Sequence, residues 1–174
     1  NPVLTLRDNL TPRQDIEILR YNTSQADVQP LRIVTADVFD GDTWKPGTRD
    51  VSRRNRASRG LPAPPGLSPD VSQSQYTMRI EVSNALNQDF LPLPYPTRQV
   101  DIKGAWLYDA ATLNVIGDGE SVRGRSYDLT YLAVRPTAEQ LRNAPAVRDG
   151  SLQRYTSLPR DLPDVVARTA HAVT

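Results

Sequence analysis

The cleanest alternation of apolar and polar positions lies in QYTMRIEVS, where Tyr76, Met78, Ile80 and Val82 interleave with Thr77, Arg79, Glu81 and Ser83. Period two sends the first set to one face of a β-strand and the second set to the other. Residues 14–22 (QDIEILRYN) show a looser version, in which Ile16, Ile18 and the aliphatic stem of Arg20 oppose Glu17, Leu19 and Tyr21. That pattern predicts a strand with both faces partly used. After Pro30 the β-branched run LRIVTADVF leads to Asp40-Gly41, a turn signal ahead of Thr43-Trp44. A hairpin, or a strand with a tight reversal, is expected there.

Pro92, Pro94 and Pro96 sit at alternate positions in FLPLPYPT, residues 90–97. Three missing amide donors favour an extended edge or polyproline segment and rule out a central strand. VDIKG, AWLYD, LNVIG and YDLTYLAVR then predict short strands, with turns at Asp109-Ala110-Ala111-Thr112 and Gly117-Asp118-Gly119. Short strands joined by tight turns imply antiparallel pairing.

Only the carboxyl end reads as helical. Thr137-Ala138-Glu139-Gln140 fits a capping box after Pro136, beginning a short helix that Pro145 ends. A second helix starts near Asp161–Pro163, with Leu162, Val166, Ala170 and Val173 at helical spacing, a stripe that needs a partner surface. The expected fold is mainly β, an antiparallel sheet or small β-sandwich with one short helix and a C-terminal helix. One β-rich domain is expected over 1–160, and residues 161–174 form the terminal helix.

Composition changes this picture at one place. From 45 to 74 the chain turns to Pro, Gly, Ser and Arg, with Lys45, Arg49, Arg53, Arg54, Arg56 and Arg59 opposed early on only by Asp50. A disordered Arg/Pro-rich loop is expected. Across the chain, 21 basic and 20 acidic side chains leave a net charge of +1, so no overall field draws it to nucleic acid or anionic lipid. No apolar run approaches the roughly 20 residues that cross a bilayer. The start at Asn1-Pro2 and the stop at Thr174 within a helical pattern suggest a piece of a longer polypeptide.

Candidate chemistry is sparse. The chain has no cysteine, which removes thiolate nucleophiles, disulfides and zinc-thiolate sites. A serine triad would need a histidine, and His171 stands in the terminal helix with no G-x-S-x-G elbow before it, so it reads as an ordinary helix residue. Asp37, Asp40 and Asp42 cluster in ADVFDGDTW, yet the calcium-loop pattern and its distal glutamate are missing. Turn formation accounts for them, and for Asp118-Gly119-Glu120, better than a cation does. Carboxylate pairs for glycoside hydrolysis depend on spatial separation, so the sequence points to none. Trp44, Trp106, Tyr95 and Tyr108 could stack on sugars, although core or loop-anchoring duty is the commoner fate of such rings. The catalytic, cofactor-binding and metal assignments are therefore all empty.

Three stretches carry a family resemblance: NPVLTLRDNLT at 1–11, PLRIVTADVFDGDTW at 30–44, and YPTRQVDIKGAWLYDAATLNV at 95–115. Together they resemble the extracytoplasmic part of bacterial transglutaminase-like membrane proteins, in the segment preceding the transglutaminase core. The matching positions are Leu4, Leu6, Arg7, Asn9 and Leu10, then Leu31, Arg32, Thr35, Asp37, Phe39, Asp40, Gly41 and Trp44. PTAEQLRNA and YTSLPRDLPDVVARTAHAVT extend the likeness toward the end, while the Arg-rich stretch is its least family-like portion.

The resemblance implies a parent with membrane helices before this segment and a Cys-His-Asp core after it, none of whose catalytic residues falls on this chain. It also implies a non-catalytic accessory domain, without cofactor, on the outer face of the bacterial cell membrane. Such a domain would position or present substrate to the downstream core, its principal partner. Membrane contact would run through the parent's helices only, and nucleic acid is not an expected partner. The alternative is a module that binds cell-wall polysaccharide or peptidoglycan through exposed aromatics and the basic loop, with cell-wall polymer or a protein as its ligand.

Overall fold

The computed structural model describes residues 15–39, 43–47, 51–145 and 163–173. They fall into two units. The first comprises the described residues of 15–35 and 51–145, and the second those of 36–39, 43–47 and 163–173.

The first unit is built on a four-stranded antiparallel sheet of order β1-β4-β8-β5, formed by β1 (Leu19–Thr23), β4 (Ser72–Val82), β8 (Ser126–Arg135) and β5 (Thr97–Asp101). Period-two alternation decides what each face holds. Tyr76, Met78 and Ile80 of β4 lie opposite Tyr131, Leu129 and Tyr127 of β8, Val100 of β5 lies opposite Leu129 from the other side, and these residues and Val82 are all buried except the half-buried Tyr76. On the other face Thr77, Arg79 and Glu81 are exposed. The predicted strand at 76–83 is thus the centre of the sheet, and its apolar positions form the core floor.

The core is closed by β6 (Trp106–Tyr108) and β7 (Val115–Gly117), an antiparallel pair that contributes Trp106 and Val115, and by Leu91, Leu93, Leu113 and Val122 from the connections. The proline-rich run belongs here. Leu91 to Pro94 are all buried, and Leu93 makes an isolated antiparallel bridge with Arg32 outside the named strands. Proline has no N–H, so the donors left in that segment are Leu91 and Leu93, which donate to the Val115 and Arg32 carbonyls at 2.9 Å each, and the proline carbonyls need partners of their own. Tyr127 donates its hydroxyl to the Pro92 carbonyl at 2.7 Å, and Thr97 Oγ1 donates to that of Pro94 at 2.6 Å. Burial pushes the Tyr127 phenol well above its usual pKa.

The basic stretch also departs from expectation. Residues 55–61 lie against β5 and β6, and Asp70 is bonded through its carbonyl to Gln140, instead of the stretch standing off as a free loop. A 3-10 turn, Ala57–Arg59, buries Ala57, and Leu61 is buried with it. Leu61 N–H donates to the Arg98 carbonyl at 2.8 Å, and Tyr108 N–H donates to that of Asn55 at 2.8 Å. The arginines stay in solvent while the few apolar residues between them anchor the backbone, a pattern that net composition hides. Ser72–Ser74 are already part of β4.

Helix α1 (Ala138–Arg142) closes the first unit as the capping-box reading predicts: Gln140 N–H donates to Thr137 Oγ1 at 3.1 Å, and Thr137 N–H donates to Gln140 Oε1 at 2.9 Å. In the second unit β2 (Val38–Phe39) pairs with β3 (Trp44–Lys45), and α2 (Asp164–Val173) buries no residue. The expected domain over 1–160 is divided in the structure, since the described residues of 36–47 fall in the second unit, where Asp37 N–H donates to the Lys45 carbonyl and Gly47 N–H to Asp37 Oδ1. Leu162 of the expected helical stripe lies outside the described residues, and no described helix is long and apolar enough to cross a membrane.

Candidate functional site

The solvent face of the four-stranded sheet presents an open polar surface. An open cleft of about 530 Å³ runs across it, lined by Asn22 of β1 and Ser24 just after it, Thr77 and Arg79 of β4, Asp128 and Thr130 of β8, and Gln99 and Asp101 of β5. All four strands supply the lining because the residues alternate with the core positions. Register then sets the charge pattern. Asp128 lies opposite Arg79 on one side and Asp101 on the other.

Arg79 Nη1 meets Asp128 Oδ2 at 2.7 Å, and its Nε reaches Glu81 Oε1 at 3.5 Å. The hydrogen bond and charge of Asp128, followed by Glu81, raise the pKa of Arg79. Arg79 is thereby shared between Asp128 and Glu81, and Asp101 stands on the same face beside Asp128. At the rim Arg20 Nε meets Glu17 Oε1 at 2.7 Å, a contact that raises the Arg20 pKa in the same way.

Chemically this surface can hold polar or charged groups, and it offers no desolvated acid. Asp101 and Asp128 are both exposed, whereas a catalytic carboxylic acid is held protonated by apolar burial or by an uncompensated like charge. The alternation in the sequence puts Thr77, Arg79 and Glu81 together on the face opposite the apolar set. It missed Asp101 and Asp128, since which strands pair across 50 residues is not written in local pattern.

The residues singled out in the sequence occupy other places. Asp37 is buried and accepts the Gly47 N–H at 2.7 Å, and a Cβ on Gly47 would come within 3.1 Å of that same oxygen. The glycine lets the backbone close on the carboxylate, which supports the turn reading of Asp37. Asp40 and Asp42 lie outside the described residues. Glu120 is held by Arg125 and by the Ala105 N–H at 3.3 Å, and Asp118 stands 3.8 Å from Arg53. Both acidic side chains of that loop therefore face protein donors. Gly104, at φ 108°, leaves the room that the Glu120 carboxylate fills.

His171 is exposed on α2, and no group of three or more metal-ligating side chains occurs among the described residues. Trp106 is only 3% exposed and donates its Nε1–H to the Lys103 carbonyl at 3.1 Å, so it is a core residue. Trp44 remains 44% exposed and stacks on Phe39 with ring centroids 5.0 Å apart, within the second unit. Tyr95 is exposed beneath the Arg32 guanidinium, 4.2 Å from its ring centroid. Burial lowers the Arg32 pKa, and its Nη2 donates to the Thr112 carbonyl at 2.7 Å. Tyr108 is half-buried against the core. With Trp106 inside, the four aromatics do not form one sugar-stacking face.

Residues 1–138 match the family model described as the TgpA N-terminal domain. No curated protein and no solved structure matches the chain.

Proposed function

The chain belongs to the TgpA N-terminal domain family, and from that premise we propose that it is the non-catalytic accessory domain of a membrane-anchored transglutaminase-like protein. It positions or presents substrate to a downstream Cys-His-Asp core on the extracytoplasmic face of the bacterial membrane. One observation carries the reading: a family match over 138 residues falls on a chain that contains no cysteine, so thiolate acyl transfer has no nucleophile here. The open polar face, where the single cation Arg79 stands among Glu81, Asp101 and Asp128, is a surface for holding a substrate loosely.

The test compares the isolated chain with the parent protein. The isolated chain should show no acyl-transfer or peptidase turnover. In the parent, Asp101→Ala and Gln99→Ala should raise KM for a polypeptide substrate while leaving kcat unchanged. Turnover by the isolated chain, lost on mutation within it, would overturn the reading.

A second reading, binding of cell-wall polysaccharide or peptidoglycan, is favoured by the exposed stack of Trp44 on Phe39. Trp44→Ala should then abolish retention on insoluble wall polymer without lowering the melting temperature, whereas undiminished retention removes this reading.

A further inference from the structure

We propose that the outer edge of β1 captures an extended polypeptide by strand addition, an inference that deepens the presenting role above and rests on it. Hydrogen-bond phase carries it. Ser83 N–H donates to the Ile18 carbonyl at 2.9 Å and Ser24 N–H to the Thr77 carbonyl at 3.1 Å, in the register that pairs Arg20 with Glu81 and Asn22 with Arg79. In an antiparallel ladder bonded pairs alternate with unbonded ones. The backbone groups of 18, 20, 22 and 24 therefore turn toward β4, and those of Leu19, Tyr21 and Thr23 turn away from the sheet. β1 is the last strand on its side, so these outward groups meet no strand among the described residues.

A row of alternating N–H and C=O at strand spacing is complementary to another backbone and to little else. The flanks add selectivity. Tyr21, 48% exposed, lies on the core side of the strand, and Arg20 and Asn22 lie on the cleft side. A small recess of about 150 Å³ between Arg20, Asn22, Arg79 and Glu81 opens beside them and fits one polar side chain. The partner is thus an extended segment that alternates apolar with polar residues.

The size of the edge argues for a flexible chain over a second copy of this domain. Five residues span roughly 17 Å, the length of one short strand, whereas two folded bodies in a stable interface bury ~800 Å² on each partner. Natural edges of this kind are blunted by inward charge or proline. β1 has no proline, and its one charged residue, Arg20, lies on the cleft side of the strand, where it pairs with Glu17.

The experiment uses the 174-residue chain and a capped ten-residue peptide alternating Val with Ser and Lys as probe. Bound peptide should slow amide exchange at Leu19, Tyr21 and Thr23 but not at Arg20 and Asn22, whose amides already face β4. N-methylation of the probe at alternate residues should abolish binding in one phase and spare it in the other. Tyr21→Pro removes an outward donor and no β1–β4 bond, so it should weaken binding about tenfold or more. Tyr21→Ala, which keeps the amide, should retain binding should the proline variant prove unfolded. Uniform protection along β1, indifference to N-methylation, or self-association of the chain through residues 19–23 in place of peptide binding would overturn the proposal. Should the edge bind the probe while Tyr21→Pro leaves turnover of a polypeptide by the parent unchanged, the edge stands and the presenting role falls.

Discussion

The two faces of the four-stranded sheet are made by the same strands, residue by residue in alternation, and they are held by different physics. On the inner face Met78, Ile80, Tyr127, Leu129 and Tyr131 are buried, and the polar atom of each buried tyrosine has a named partner: Tyr127 bonds the Pro92 carbonyl and Tyr131 bonds Thr23 Oγ1 at 2.8 Å. On the outer face Arg79, Glu81, Asp101 and Asp128 remain in water. The inner face is where the stability resides, because apolar area leaves water there. The outer face gains little from its own contacts, so its composition is free to answer to a ligand.

The largest expected effect separates neighbouring positions on β8. Leu129→Ala removes a buried side chain with no freedom to refill and should cost about 2–5 kcal/mol. Thr130→Ala, one residue on and facing the cleft, should stay within about 0.5 kcal/mol. The denaturant midpoints of the two variants measure the contrast directly. Similar losses at both positions would mean that the outer face is also load-carrying, and the division of labour would fail.

Next in size is Tyr127, a polar group on the apolar side. Tyr127→Phe keeps the ring and leaves the Pro92 carbonyl buried without its donor, a loss of about 1–3 kcal/mol at neutral pH. The phenol pKa is raised in the fold by burial, so its contribution is complete below the unfolded value of about 10 and drains away as pH rises above it. Equilibrium unfolding between pH 9 and 11 should therefore show wild-type stability falling more steeply than that of Tyr127→Phe. Parallel curves would place Tyr127 in a wetter site than the structure gives it.

What was readable in the sequence follows the same division. Period two at Tyr76–Val82 and in YDLTYLAVR marks the inner face, and the Thr137–Gln140 box marks the start of α1, since each signal is local to a few residues. The cleft needs Asp101, Asp128 and Arg79 side by side, and that adjacency is fixed by strand register between segments 27 and 49 residues apart. No local pattern encodes it. The burial of Pro92 and Pro94 was hidden for another reason: proline signals a missing donor, and only the fold reveals that Tyr127 and Thr97 reach the carbonyls left over. At 51–71 the arginines dominated the composition, and the anchoring by Ala57 and Leu61 rests on two small contributions that a charge count does not register.

The smallest expected effect tests the outer face alone. Arg79 and Asp128 lie opposite each other and make the shortest ion pair of the cleft, with side chains 52% and 59% exposed. At such exposure the attraction is weakened by water, screened by salt, and offset by the freedom that two long side chains give up. Arg79→Ala and Asp128→Ala should each leave the denaturant midpoint where it was, at low and high salt alike. Asp128→Arg is the sharper variant, because it sets like charges directly across the strands, and its modest destabilisation should fade as salt is added. A loss at Arg79→Ala comparable with that at Leu129→Ala would show that the cleft charges hold the sheet together. Unchanged stability, joined to a raised KM for polypeptide in the parent carrying Arg79→Ala, would show that they are kept for what the face binds.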